Sequence, residues 1–359
     1  MRSVSVRFVP ILRAIVNADR SRRVPATIVH RLCVSATVVA TNEWAEVIRM
    51  TDFRVRVQTR RDEAEGVFGL ELAAADGTPL PVWSPGAHID IGVGPYGVRQ
   101  YSLCGDPADA RRWRVAILRE PAGRGGSEHL FRTALPGSEL RVSVPRNNFE
   151  LVGRSSYVFV AGGIGITPLL PMVAAAAAAG AQWTLYYGAR SRAHLAFTAE
   201  LAHHGGRAVL VPQDEDGLLP IERIIGEAGA AAVYCCGPEP LLTAVENAGL
   251  VSGVSVHLER FAPKVVAHEE NQPFEVQLAQ SGNSFRVGAE QSIADVLEAA
   301  GVPIVTSCRE GTCGSCETPV LSGDLEHRDS VLTEAERERG DTMMLCVSRA
   351  CSEVLVLDL

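Results

Sequence analysis

The sequence predicts a multidomain protein: a small antiparallel β-barrel, then an α/β domain on a doubly wound parallel sheet, then a compact α+β module. Three observations predict it. Between about 50 and 150, short apolar runs are separated by Gly, Pro and Asp, the spacing of a barrel of short strands. Between about 155 and 262, strand-like runs alternate with helix-like ones, which a parallel sheet with helical crossovers requires. Beyond a polar stretch bounded by prolines lies a module of about eighty residues, and a single loop-and-strand pattern in it holds four of the chain's nine cysteines.

The chain's 359 residues suffice for two or three domains. It is 47% hydrophobic and 21% charged, a composition that folds into cores. A formal charge of −8 argues against a nucleic-acid binder, which carries a basic face. Lys264 is the one lysine beside 33 arginines, which we read as coding bias. Nine cysteines are too sparse for a disulfide scaffold.

Residues 155–189 carry no charged side chain, enough length to suggest a membrane span. Gly162, Gly163, Gly165, Pro168, Pro171, Gly180 and Gly188 interrupt the run, and a lipid-exposed helix could not satisfy its backbone through such breaks. The segment reads as strand, glycine turn, helix and strand, so no membrane association and a cytoplasmic location are expected. Residues 1–49 hold eight Arg against Asp19, Glu43 and Glu46. The composition is that of a transit peptide, without the apolar core of a secretory signal. We read 1–49 as an unstructured extension or an early start codon, with a fresh start at Met50; export is the weaker alternative.

The expected elements follow in order. Phe53, Val55 and Val57 alternate as a first strand. Further barrel strands are Phe68–Leu72, His88–Ile91, Arg99–Leu103, Trp113–Leu118 and Leu140–Val144, giving a barrel over 50–152. The α/β domain, 153–262, has strands at Tyr157–Ala161, Trp183–Tyr187, Ala208–Val211 and Ala232–Cys236. Its helices, Pro168–Ala179 and Pro240–Ala248, each open with Pro near the first turn. Residues 263–273 read as a linker. The last module, 274–359, starts as a hairpin (Phe274–Leu278 and Ser284–Val287). An amphipathic helix (Ile293–Ala300), a Cys-rich loop and a final strand (Val354–Leu357) follow.

Cys308-Arg-Glu-Gly-Thr-Cys313-Gly-Ser-Cys316 is followed by Cys346. This is the plant-type ferredoxin spacing for a 2Fe-2S cluster. One tight loop can surround iron only if the backbone wraps closely. Gly311 and Gly314 permit that, and amide N–H groups can then point at the sulfurs. A structural zinc site would more often pair two short Cys hairpins, whereas here three candidate ligands share one loop. Cys33, Cys104 and Cys351 lie outside the pattern and read as thiols without a ligand role.

Gly162-Gly163-Ile164-Gly165-Ile166-Thr167-Pro168 joins a buried strand to a helix. Glycines admit a pyrophosphate to the backbone, and a helix N-terminus favours its charge. Thr167 is expected to cap the helix and Pro168 to begin it. The bland reading is a tight strand–helix turn. Arg190 follows the next strand, where a dinucleotide ribose would lie, and Cys236-Gly237-Pro238 ends another strand at the same edge.

In the barrel, Arg99-Gln-Tyr101-Ser102-Leu103 would set a cation, a ring and a hydroxyl on one strand face, suited to a flavin. Arg119-Glu-Pro-Ala-Gly-Arg124-Gly125-Gly126-Ser127 is a glycine-rich turn able to offer N–H groups, a hydroxyl and positive charge to a phosphate. Both could equally be an edge strand and a solvated hairpin. Electron counting supports the flavin. Nicotinamide gives up a two-electron hydride and a 2Fe-2S cluster takes single electrons, so a flavin is the natural intermediary.

The order of these motifs, with His257-Leu-Glu-Arg-Phe261, resembles the phthalate dioxygenase reductase family over about 50–359, and looks closest to its vanillate O-demethylase reductase branch. The resemblance implies FMN on the barrel, NADH on the α/β domain and a C-terminal ferredoxin domain of β-grasp type. It implies that Arg99, Tyr101, Ser102, Leu103, Arg119, Gly125, Gly126 and Ser127 serve FMN, with Thr167 near the flavin and Phe261 on its ring. Gly163, Gly165, Arg190, Cys236, Gly237 and Pro238 would serve NADH. Cys308, Cys313, Cys316 and Cys346 would bind iron. Asn147-Asn148-Phe149 also fits the family, as a structural element.

FMN rather than FAD rests on the resemblance; for NADH, Arg190 and Arg192 could in principle meet a 2′-phosphate instead. The implied function is electron transfer from NADH through FMN and the cluster to a Rieske-type oxygenase acting on an aromatic acid. Glu326, Asp329, Glu334, Glu336, Glu338 and Asp341 could steer a basic partner, though such acids are by default a solvated surface. The alternatives are an FAD reductase of a di-iron monooxygenase and, in a different class, an iron–sulfur carrier or sensor without turnover.

Overall fold

The structure, a computed structural model, describes residues 53–264 and 270–359. The expected extension 1–49, Cys33 and the middle of the linker lie outside the described residues.

Six strands form the first sheet: β1 (Phe53–Ala64), β2 (Val67–Ala74), β3 (His88–Gly92), β4 (Val98–Ser102), β5 (Trp113–Leu118) and β6 (Glu139–Val142). Their order is β4-β3-β6-β1-β2-β5, antiparallel throughout. A bridge between Leu103 and Val115 brings the end of β4 to β5, so the sheet curls towards closure and otherwise leaves β4 as an edge. Alternation works as the sequence implies. Val55 and Val57 are buried while Arg54 and Arg56 face water. Trp113, Phe68, Leu70, Leu72, Ile89 and Ile91 fill the interior.

The glycine-rich segment after β5 is not only a turn. It opens helix α1 (Gly126–Thr133), whose Leu130 is fully buried in the barrel core. Eight residues with so few apolar positions leave too little periodicity to read in advance.

The second sheet is parallel: β7 (Ser156–Gly162), β8 (Gln182–Ala189), β9 (Ala208–Pro212), β10 (Ala232–Cys236) and β11 (Val256–Glu259), in the order β11-β10-β7-β8-β9. Strand order reverses between β7 and β10, and this switch point opens a crevice at the strands' carboxyl ends. Helices α2 (Ile166–Ala178), α3 (Thr198–Ala202), α4 (Gln213–Asp216), α5 (Ile221–Gly226) and α6 (Glu239–Ser252) connect the strands. The uncharged run at 155–189 is therefore β7, α2 and β8. Among the described residues no helix is long and apolar enough to cross a membrane. Strand β11 was not expected: it is short, half-buried and carries His257 and Glu259.

The third sheet holds β12 (Phe274–Leu278), β13 (Ser284–Val287), β14 (Glu317–Ser322), β16 (Thr342–Met344) and β18 (Val354–Leu357), ordered β13-β12-β18-β14-β16. Strands β15 (Leu325–Glu326) and β17 (Arg349–Ala350) pair separately. Helix α7 (Ile293–Ala299) begins with a Ser292/Asp295 capping box and buries Ile293, Ala294 and Leu297 in this module's own core. Helix α8 (Glu334–Arg339) begins with a Thr333/Glu336 box.

The first two sheets share a core. Val67, Cys104 and Ala116 of the barrel join Phe159, Leu185 and Tyr187 of the parallel sheet in one apolar cluster. Inside it, the backbone N–H of Ala196 donates to the hydroxyl of fully buried Tyr187 at 3.0 Å. Tyr187→Phe leaves that N–H unpaired, so we expect a loss of about 1–3 kcal/mol, read from the urea midpoint of the full-length protein.

Candidate functional site

The cysteine loop is built by local necessity. Gly311 has φ +68°, and a Cβ there would lie 2.6 Å from Val347 and 2.9 Å from the Cα of Asp329. Arg309 adopts φ +55°, an unfavourable conformation for a side-chain-bearing residue. It is held by Asp295 at 2.9 Å and by Glu298, both on α7. The backbone N–H groups of Glu310 and Thr312 donate to Cys308 Sγ at 3.3 and 3.4 Å, and that of Ser315 to Cys313 Sγ at 3.4 Å.

All four predicted thiols are brought together. Cys308 lies in hydrogen-bond contact with Cys313 and Cys346, and Cys316 with Cys346. The Cys313 and Cys346 thiols, then the hydroxyl and backbone N–H of Thr312, hold Cys308 well below the usual thiol range. A thiolate under converging N–H groups suits positively charged iron. Three thiols on one wrapped loop with a fourth from Cys346 are a donor set that fits a two-iron cluster, whereas structural zinc more often pairs two short Cys hairpins.

A cleft opens beside this loop. Its walls come from His88 of β3, Arg99–Ser102 on the edge strand β4, Leu258–Phe261 at the end of β11, and Cys308 and Glu310. Two adjacent polar atoms on its barrel wall, Ser102 Oγ and His88 Nε2, are buried without a hydrogen-bond partner; the two residues pair in register across β3 and β4. Burial, then the charge of Arg146, pushes His88 down to about 4, so its ring is neutral at pH 7 and offers one donor and one acceptor. Orphaned polar atoms beside an unpaired strand edge and the half-exposed ring of Phe261 fit a planar heterocycle such as a flavin.

The predicted flavin residues divide. Arg99, Tyr101, Ser102 and Phe261 line the cleft. Strand alternation puts Ser102 beside Gln100 and His88, on the face opposite Tyr101, so the expected single face is corrected to two faces of an edge strand. Leu103 is fully buried in the barrel core. Arg119 pairs with Glu128 at 2.7 Å and lies over the Phe131 ring, whereas Arg124 reaches the cleft and pairs with Glu310. Gly125 and Gly126 pass against Tyr96 and Arg99, where a Cβ would crowd both. The hydroxyl of Ser127 accepts from the backbone N–H of Glu120 at 3.0 Å.

At the switch point the predicted nucleotide turns meet. A Cβ on Gly165 would strike the Cys236 carbonyl, and one on Gly162 would lie 2.6 Å from Pro238 Cδ. Gly163 has φ +53°. Helix α2 starts at Ile166 with Gly165 as its N-cap. Thr167 therefore does not cap the helix and Pro168 does not begin it. Thr167 is buried in the first turn and its hydroxyl donates to the Ile164 carbonyl at 2.9 Å. Arg190 is exposed just beyond β8, and Arg192 is held by Glu215 of α4 at 2.5 Å.

Sequence reasoning missed His88 and Glu259 as site residues. Glu259 ends β11, and the Cys236 thiol donates to its Oε2 at 3.8 Å; burial pushes its carboxyl up to about 8. The motif holding it was visible, but nothing in the sequence marks that carboxyl as desolvated. The acids expected on the ferredoxin-like module are partly structural. Asp329 is buried and accepts from the N–H groups of Val331 and Leu332, and Glu336 caps α8.

Comparison with known proteins agrees with this architecture. Residues 276–351 match the 2Fe-2S iron-sulfur cluster binding domain and residues 159–247 the oxidoreductase NAD-binding domain. The chain is 40% identical to the vanillate O-demethylase oxidoreductase of Pseudomonas putida, over 84% of this chain and 98% of that one. The solved structure of phthalate dioxygenase reductase, described as modular for electron transfer from pyridine nucleotides to [2Fe-2S], is 36% identical with a TM-score of 0.63, covering 88% and 99%. This chain belongs to the phthalate dioxygenase reductase family. It is an oxidoreductase of electron-transfer type with flavin, NAD and 2Fe-2S sites. An intact type IV self-sufficient cytochrome P450 monooxygenase is also similar, 39% identical with a TM-score of 0.80. There the match covers 86% of this chain but only 41% of the other.

Two outcomes follow from the geometry. Replacing any one of Cys308, Cys313, Cys316 or Cys346 by Ser abolishes the iron–sulfur absorption and lowers bound iron, whereas Cys351→Ser leaves both unchanged. Glu259 holds a proton in the native state that the unfolded chain releases near the ordinary 4.5. Its contribution to stability is therefore complete below that pH and is lost as pH rises through about 8. Glu259→Gln should flatten the decline of the urea midpoint with pH across that window.

Proposed function

We propose that this chain is the NADH-dependent reductase component of a two-component Rieske-type aromatic oxygenase or O-demethylase, working in the cytoplasm with FMN. The observation that carries this reading is the meeting of three edges at one cleft: β4 of the barrel, the end of β11 in the parallel sheet, and Cys308 of the cysteine loop. A flavin held there would supply two-electron acceptance of hydride from NADH and single-electron release to a 2Fe-2S cluster.

The chain's own residues align and shield. His88 and Ser102 supply buried polar atoms to the cleft's inner wall. Arg99 supplies positive charge and the N-terminus of α1 lies beside it, an arrangement suited to the single phosphate of FMN. The half-exposed ring of Phe261 on the cleft wall would be available to stack on the flavin ring. The closely packed Gly162–Gly165 and Cys236–Pro238 turns offer backbone to a pyrophosphate at the switch point. No side chain here need act as a strong acid or base.

NADH is the expected donor. Arg192, one of two cations that could meet a 2′-phosphate, pairs with Glu215 at the surface; such exposed pairs are weak, so Glu215→Gln should raise kcat/KM for NADPH by no more than about fivefold with little change for NADH.

Anaerobic titration with NADH tests the whole reading. Flavin and iron–sulfur bands should both bleach, and the released flavin should weigh as FMN. Release of FAD would favour a reductase of the di-iron type. A protein with iron bands but no NADH response would be a carrier or sensor instead.

A further inference from the structure

We propose that Asp90 and Ser307 form a clamp between the flavin barrel and the cysteine loop that positions the cluster for the electron it receives. The proposal rests on the reductase reading above and names the residues that set its internal transfer.

Asp90 lies on β3 with 3% of its side chain exposed. A buried carboxylate persists only when paired and hydrogen-bonded. Two donors come from the barrel segment itself: Arg146 Nη2 at 2.7 Å and Gln100 Nε2 at 3.2 Å. The third comes from the other module: Ser307 Oγ donates to Asp90 Oδ2 at 2.7 Å. Ser307 directly precedes Cys308. The backbone of Asp90 is fixed as well, its N–H donating to Ser143 Oγ at 2.9 Å. The acceptor is thus rigid, charged and desolvated, the conditions under which a hydrogen bond is strongest.

Two further ties reach the same loop. Asn148 Nδ2 donates to the Cys313 carbonyl at 2.8 Å, and Arg124 pairs with Glu310. The Arg124 side chain is 63% exposed, so that pair contributes little. The internal shape of the loop has other causes: Gly311, the α7 acids that hold Arg309, and the N–H of Ser330 donating to the Gly311 carbonyl at 2.8 Å. The Ser307 hydroxyl therefore serves the contact between modules and not the assembly of the four thiols. Asp90 and Ser307 are positioning residues; they act on the transfer through where they hold Cys308.

The step at stake moves one electron from reduced flavin to oxidised cluster. NADH supplies the hydride, NAD⁺ leaves, and the second electron stays on the flavin until the cluster is reoxidised. Electron tunnelling falls off exponentially with the gap between donor and acceptor, so a loop that drifts from the barrel slows this step.

Ser307→Ala in the full-length holoprotein is the test, with Ser307→Thr as the rescue and Asp90→Asn as a second variant. Iron and flavin content are measured first. Anaerobic mixing with NADH then follows the flavin and iron–sulfur bands separately, and hydrogen–deuterium exchange reads residues 305–314. We expect iron content and the rate of flavin bleaching to be unchanged in Ser307→Ala. Bleaching of the iron–sulfur band should slow about tenfold or more, exchange across the loop should rise, and Ser307→Thr should restore both. Unchanged iron–sulfur bleaching overturns the proposal. So does loss of iron in Ser307→Ala, which would make the hydroxyl part of cluster assembly. A wild-type protein that shows no NADH-driven bleaching fails the reductase reading instead, which separates the two failures.

Discussion

The rest of the structure depends on one contact region: the edge of β4, the end of β11 and Cys308 must share one cleft. Hydride transfer needs its reacting atoms within about 3–3.5 Å of each other, so the three sheets have to present three particular edges to each other. Each sheet solves its part locally. The barrel leaves β4 unpaired on one side. The parallel sheet places its switch point between β7 and β10. The third module wraps its thiols on a loop held open by Gly311 and Arg309.

The joints between the sheets are of different kinds. The barrel and the parallel sheet are fused through a common apolar core running from Val67 and Cys104 to Phe159 and Tyr187. That joint is close-packed, and interiors of this kind resist deformation. The ferredoxin-like module has its own core and meets the barrel through polar ties from Asp90, Asn148 and Arg124. Lys264, at the start of the linker, adds a backbone N–H donated to Ser330 Oγ at 2.9 Å. Polar ties are directional and individually weak. They set a position without welding the module to its neighbours, which suits a unit that must also present its electron to another protein.

The barrel wall of the cleft follows the same logic. His88 and Asp90 alternate with Ile89 and Ile91 on β3, and all four are buried. One face of the strand belongs to the barrel core and the other to the cleft and the cysteine loop. A strand that reads as half-polar is thus buried on both sides, because its polar residues meet another module rather than water.

Much was legible from sequence because it rests on local chemistry. Cysteine spacing specifies the cluster loop, glycine runs specify close backbone approach, and alternation specifies strands; none needs knowledge of distant partners. The departures have a common cause. Thr167 sits inside the first turn because α2 begins two residues ahead of Pro168. Arg119 is taken by Glu128, a residue of a helix too short to read. Glu259 becomes desolvated, Arg192 paired and Ser307 committed to Asp90 only once residues far apart in the chain are packed together. The sequence by itself determined the three folds and the four thiols that the cysteine loop gathers. Tertiary structure alone decided which polar groups are buried, which charges are cancelled and which edges face each other, since solvation and pairing are properties of surroundings and not of residues.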